Sequence, residues 1–293
     1  MRARSLFEDR WVLVVVLTAV IWAFLPDAAR ADLFWVGGAN GSRIGRADNA
    51  GGEVNRSFIG GLRNVGTVAV GAGNLYWTSG ARIGRAALSG AAVNPGFIRH
   101  LGPLNGVAVT ARYLYWLSPR DPGCGGKPGF GRSRLNGSGV DRGFVCSGEG
   151  EPTIADSRFA NGIGVEGHDL FWSWIRGIGR LDVERRSVVN RFIVLPRGYT
   201  AAGITASGAY IYWGSYNLGP VIGRAKRDGE SPDPAFISGL AGNIAPEVAA
   251  VDHHLYFAND YGSNATIARA GLTGIVSWDF ITGFEVVGDL TAT

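Results

Sequence analysis

The stretch Leu75-Tyr76-Trp77-Thr78-Ser79-Gly80-Ala81-Arg82-Ile83-Gly84-Arg85 decides the architecture, because both of its halves return along the whole chain. The first half recurs as Leu33-Phe34-Trp35, Leu114-Tyr115-Trp116, Leu170-Phe171-Trp172, Ile211-Tyr212-Trp213 and Leu255-Tyr256-Phe257. The second recurs as Ile44-Gly45-Arg46, Ile178-Gly179-Arg180 and Ile222-Gly223-Arg224, with the drifted forms Phe130-Gly131-Arg132 and Ile267-Ala268-Arg269. A phenylalanine, in most units part of a Phe-Ile pair, closes each unit at Phe58, Phe97, Phe144, Phe192, Phe236 and Phe280.

Around the quoted stretch, one unit divides into four strand-like segments: Val68 to Val70, Leu75 to Ser79, Arg82 to Leu88 and Pro95 to Ile98. Turn residues such as Gly71-Ala72-Gly73-Asn74 and Ser89-Gly90 separate them. Four short antiparallel strands repeated every 39 to 56 residues predict an all-β, six-bladed β-propeller over residues 32–293. The 46 glycines and the many Trp, Tyr, Val and Ile suit short strands and tight turns. No helical apolar period is sustained outside the first residues, so almost no helix is expected.

The spacings distinguish two faces. From the first strand of a unit to its Leu-Tyr-Trp the offset is seven residues wherever it can be measured, and from Ile-Gly-Arg to the closing phenylalanine it is fourteen in five units and thirteen in the last. By contrast, Trp to Ile-Gly-Arg varies from six to fourteen residues, and the closing phenylalanine to the next Leu-Tyr-Trp from seventeen to twenty-six. In an up-and-down blade the two variable connections emerge on the same side. That side is where function on a rigid scaffold is expected.

The first 31 residues are read as a signal peptide. Arg2, Arg4 and Arg10 precede an apolar run from Trp11 to Leu25, and Ala29-Arg30-Ala31 offers a small-x-small cleavage site before Asp32. A secreted, extracytoplasmic protein is expected, without membrane association after cleavage. Residues 1–31 hold four of the 28 Lys and Arg and three of the 24 Asp and Glu, so the remainder has a net charge of +3. That charge is spread without a basic run, which leaves no footprint for nucleic acid. Export also implies that the only two cysteines, Cys124 and Cys146, form a disulfide. A monomer is expected. With Leu33 so close to the cleavage site, the first unit has no inner strand of its own, and the segment from Leu290 should return to supply it, closing the ring.

The repeats resemble those of low-density-lipoprotein-receptor class B (YWTD) propellers and of secreted bacterial proteins built from Tyr-Trp, Ile-Gly-Arg and Phe-Ile elements. The resemblance covers residues 32–293 and implies the fold more than an activity. The Asp of the receptor motif is replaced by Gly37, Ser79, Ser118, Trp174, Ser215 and Asn259, so receptor ligands do not carry over.

Three functional sets emerge. On the variable face Trp174, Arg176, Tyr199, Tyr216, Asn217, Asp260 and Tyr261 combine aromatic and polar groups of the kind that dominate interfaces. They point to a non-catalytic scaffold for a protein, peptide or glycan, with no cofactor. Just before the inner strands, Asn105, Asn161, Glu247 and Asp289 offer an oxygen-rich ring for calcium or another divalent cation. The Asn-Gly steps at Asn105 and Asn161 resemble those of gluconolactonase-like propellers, which gives the alternative of a metal-dependent, lactonase-like hydrolase. A third reading, a lyase resembling virginiamycin B lyase, rests on His100 as the one histidine in an inter-blade loop. His168, His253 and His254 fall in the fixed turns.

Overall fold

The computed structural model describes residues 31–148, 162–216, 219–242, 246–259 and 264–293. Residues 1–30 of the expected leader, Asn161, Asn217, Asp260 and Tyr261 lie outside the described residues.

Among the described residues, twenty-four strands form six four-stranded antiparallel sheets. The first blade holds β1 (Asp32–Gly37), β2 (Arg43–Asp48) and β3 (Asn55–Ile59), and the second β4 (Val65–Gly71), β5 (Asn74–Ser79), β6 (Arg82–Ala87) and β7 (Asn94–Ile98). The third holds β8 (Gly106–Val109), β9 (Tyr113–Ser118), β10 (Gly129–Arg134) and β11 (Asp141–Cys146), and the fourth β12 (Ile163–Glu166), β13 (Asp169–Trp174), β14 (Gly177–Asp182) and β15 (Ser187–Val194). The fifth comprises β16 (Thr200–Ser207), β17 (Tyr210–Tyr216), β18 (Pro220–Lys226) and β19 (Asp233–Ile237), and the sixth β20 (Val248–Val251), β21 (His254–Asn259), β22 (Ala265–Gly271) and β23 (Val276–Phe284). The last strand, β24 (Val287–Ala292), is the inner strand of the first blade and pairs antiparallel with β1 through Trp35↔Leu290 and Leu33↔Ala292. The closure continues past the ladder, where Thr293 N–H donates to the Asp32 carbonyl at 3.0 Å and Asp32 N–H to Thr293 Oγ1 at 2.7 Å. The sole helix among the described residues is a 3₁₀ turn, Pro122–Cys124.

The repeated motifs act in layers. In the Leu-Tyr-Trp strand the aromatic pairs are fully buried between blades. The third strand then meets the outer one with a bulge at each Ile-Gly-Arg: Ile44 pairs with Ile59 and Arg46 with Asn55, so several outer residues oppose Gly45. The same shift occurs in the other five blades. It aims the closing phenylalanine at the motif arginine. Each guanidinium covers its ring: Arg46 on Phe58 at 5.5 Å, Arg85 on Phe97 at 4.4 Å, Arg132 on Phe144 at 4.1 Å, Arg180 on Phe192 at 5.4 Å, Arg224 on Phe236 at 3.9 Å and Arg269 on Phe280 at 4.4 Å.

Blades are sealed to one another on the fixed face. Tyr76 Oη and Arg85 Nη1 both donate to the Leu135 carbonyl of the next blade, Arg224 Nη1 to that of Leu272, and Tyr256 Oη to that of Asn49. Three of the residues standing for the receptor Asp make local bonds: Ser79 Oγ donates to the Arg63 carbonyl at 2.6 Å and Ser215 Oγ to that of Thr200 at 2.8 Å, while Asn259 Oδ1 accepts from Ala241 N–H at 2.9 Å.

Candidate functional site: the channel mouth and the variable face

The six inner strands surround a channel of about 220 Å³ walled by small and β-branched residues such as Val68, Val107, Ile163, Ile204, Val248 and Leu290. One residue before each of these stands at a common level of the mouth: Thr67, Gly106, Gly162, Gly203, Glu247 and Asp289. Three consecutive blades contribute glycine there, and the other three contribute Glu247, Asp289 and Thr67. The mouth is therefore lopsided, with its polar side chains on the sixth, first and second blades. Asn105 stands one position earlier, in register with Pro246 and Gly288; its N–H donates to the Leu117 carbonyl at 2.9 Å. The sequence pattern treated both levels as one ring, because motif spacing places a residue along a strand only to within a step.

Glu247 and Asp289 are in contact. Asp289 Oδ2 accepts the N–H of Val68 at 2.6 Å, and the N–H of Leu290 also donates to this carboxylate. Burial pushes the Asp289 carboxyl up to about 7, against the pull of those two amides. Glu247 is raised well above the usual carboxylate range, first by burial and then by the negative charge of Asp289. Two carboxyls this close cannot both ionise cheaply, so Glu247 keeps its proton and donates it to Asp289, whose carboxylate the two amides stabilise. The other oxygen, Glu247 Oε2, is buried without a partner and packs against Gly203, where any side chain would collide with it. The pair thus links the fifth, sixth, first and second blades through their inner strands. Its donor set fits a hard cation in kind, with two carboxylates and one oxygen left unbonded. Among the described residues no three His, Cys, Asp or Glu side chains converge.

The variable-face set is dispersed. Trp174 is only 9% exposed at the end of β13 and packs over Gly177, so it serves the fourth blade's interior. Sequence could not separate this tryptophan from a loop residue, because it stands where the receptor motif has its Asp. Arg176 is exposed in the turn that follows, with its carbonyl accepting Leu195 N–H at 2.9 Å. Tyr199 is half-buried against the fourth-to-fifth blade core, next to Thr200, which pairs with Tyr216. Arg176, Tyr199 and Tyr216 therefore occupy the same end of two neighbouring blades. His100 is exposed with φ of 62°, and its carbonyl accepts from Arg142 Nε at 2.9 Å. Cys124 and Cys146 form the disulfide, joining the 3₁₀ turn to the end of β11.

The closed ring of six four-stranded blades settles the comparison. The chain is a six-bladed β-propeller. It is similar to a chain in a crystal structure of a nidogen/laminin complex, with a TM-score of 0.63 at 15% identity, covering 89% of this chain and 98% of that one. It is equally similar to TolB from Acinetobacter baumannii, with a TM-score of 0.63 at 12% identity over 91% of this chain and 67% of that one. A Lactobacillus plantarum protein follows at a TM-score of 0.51 and 13% identity, over 90% and 98%. At these identities the likeness is one of fold. No family model matches the chain, and no curated protein sequence matches it. Among the described residues no helix of this propeller is long and apolar enough to cross a membrane.

Proposed function

We propose that this propeller is a secreted, non-catalytic recognition scaffold that binds a protein, peptide or glycan on its variable-loop face. The observation that carries the reading is the asymmetry of its two faces. One face is held by turns of constant length and by the Tyr and Arg bonds to the next blade; the other varies in length and displays Arg176, Tyr199 and Tyr216 on adjoining blades. The disulfide and the leader-like first residues support export. A propeller chain within a nidogen/laminin complex is one case of this fold in a protein assembly. The test is to screen the purified protein against a glycan array and a displayed-peptide library, then repeat the positive assay with variants. Arg176→Ala and Tyr216→Ala should abolish binding, and His253→Ala and His254→Ala should leave it intact. Equal loss from both pairs in folded variants sinks the assignment.

The Glu247–Asp289 pair favours a second reading, a divalent-metal-dependent hydrolase of lactonase type. Glu247 and Asp289 would hold the cation, which would supply Lewis-acid activation of a carbonyl. Elemental analysis of the purified protein decides it: a stoichiometric divalent cation lost in Glu247→Gln supports this reading, and its absence after incubation with calcium removes it.

A further inference from the structure

The junction between the third and fourth blades departs from the seal used elsewhere on the fixed face. At the other five junctions the closing phenylalanine of one blade meets a glycine of positive φ in the next blade's third-to-fourth-strand turn: Phe58 meets Gly90, Phe97 meets Gly137, Phe192 meets Gly229, Phe236 meets Gly274 and Phe280 meets Gly51. The fourth blade has no glycine in that turn, which reads Val183-Glu184-Arg185-Arg186. Arg186 takes the positive φ, 53°, and lays its guanidinium 4.8 Å over Phe144. Arg132 also covers this ring, at 4.1 Å, and that of Tyr113, at 4.9 Å. The Val183 carbonyl also lacks a bond from Tyr115 or Arg132 among the described residues, as Leu88 and Arg227 lack theirs, whereas Leu135, Leu272 and Asn49 are bonded.

What opens there is a cavity of about 550 Å³ lined by Arg112, Tyr113, Arg132, His168, Glu184 and Arg186. The lining holds one acid, Glu184, whose Oε1 lies 3.1 Å from His168 Nδ1, and Asp141, outside the lining, stands 4.0 Å from Arg132. Arg112 is exposed and makes no ion pair among the described residues, and Arg186 has only the ring. Positive charge therefore exceeds negative in a groove with an aromatic wall. Its size is that of a small-ligand site. Beyond Ala111 and Val183 the lining has no aliphatic pocket for a peptide side chain.

We propose that this groove binds an acidic saccharide, its carboxylate taken by Arg112 and Arg186 and its ring laid against Tyr113. The guanidinium fork matches a carboxylate with two parallel hydrogen bonds, which a neutral sugar cannot receive. This site lies on the face opposite the variable loops and is independent of the ligand proposed there.

The test is calorimetric titration of the purified protein with trigalacturonate at low salt, with maltotriose and a triglutamate peptide as comparators. Saturable binding of trigalacturonate is expected, with none of maltotriose. Arg112→Glu, at an exposed turn that cannot unfold a blade, should weaken binding at least about tenfold, as loss of a charged hydrogen bond does. Arg186→Ala should do the same in protein shown to remain folded, and Arg176→Ala should change nothing. Absence of millimolar binding, or an unaltered affinity in Arg112→Glu, overturns the site. Triglutamate binding as tightly as trigalacturonate overturns the saccharide assignment in favour of an acidic peptide.

Discussion

The indole of Trp77 occupies the space that a Cβ on Gly84, its cross-strand partner, would fill. The same relation holds for Trp35 on Gly45, Trp116 on Gly131, Trp172 on Gly179 and Trp213 on Gly223. In the sixth blade both members change together, to Phe257 opposite Ala268. The glycine of Ile-Gly-Arg is thus required by close approach of an indole, and a smaller ring tolerates a methyl group there.

Gly84→Ala should therefore destabilise the protein by about 1–3 kcal/mol through overpacking, at the upper end because backbone and indole cannot both yield. The double variant Trp77→Phe with Gly84→Ala, which copies the sixth blade, should recover part of that loss. Chemical denaturation of the four proteins in a double-mutant cycle measures the coupling. Additive effects would show that the pairing in the sixth blade is coincidental.

The fold was legible because repetition multiplies weak signals: Leu-Tyr-Trp or Phe-Ile alone is an ordinary strand, but their constant offsets fix strand order and which loops vary. The ring closure was legible for the same reason, since Phe280 to Leu290 aligns with Phe58 to Val68. Side-chain chemistry was less so. Nothing in the spacing distinguishes Trp174, buried at a strand end, from an exposed loop aromatic. The acid pair was found as two members of a wider set, but its contact depends on blade curvature, which sets the distance between sequence-remote residues. The missing glycine at Val183-Glu184-Arg185-Arg186 was a readable signal, because every other unit has one there.

Breaking the disulfide should cost on the order of 3 kcal/mol, given the sequence separation of 22 between Cys124 and Cys146. The bridge pins the 3₁₀ turn to β11, beside the buried Asp121 whose Oδ1 caps that turn through Gly123 N–H at 2.8 Å. The Cys124→Ser, Cys146→Ser variant should unfold at lower temperature while keeping its far-ultraviolet strand signal. Two titratable thiols in the unreduced, denatured wild type would contradict the bridge.

Removal of residues 286–293 should be far more damaging than trimming a usual chain end. It takes β24 from the first blade, exposes the edge of β1, and removes the buried Val287 and Leu290 with the Asp289 bond to Val68. Aggregation or a large fall in melting temperature is expected in light scattering and calorimetry. A truncated protein as stable and monomeric as the intact chain would show that β24 is dispensable.

The last expectation concerns pH and separates a proton from a cation at the channel mouth. Both carboxyls of the Glu247–Asp289 pair are raised in the folded protein, so the folded state retains a proton that the unfolded chain has released. Their contribution is fully present below the ordinary carboxylate range, and it is lost as pH rises through about 7, where Asp289 titrates. The melting temperature should accordingly fall between pH 5 and pH 8, a window above the titration of ordinary carboxyls. Glu247→Gln removes the carboxyl that keeps its proton furthest above the ordinary range, so the slope should flatten and the variant should exceed the wild type in stability at pH 8. Calcium added at pH 8 should restore wild-type stability, and leave Glu247→Gln unmoved, only if the pair is a cation site. A slope that is the same in both proteins would mean that the pair does not govern the pH response at all.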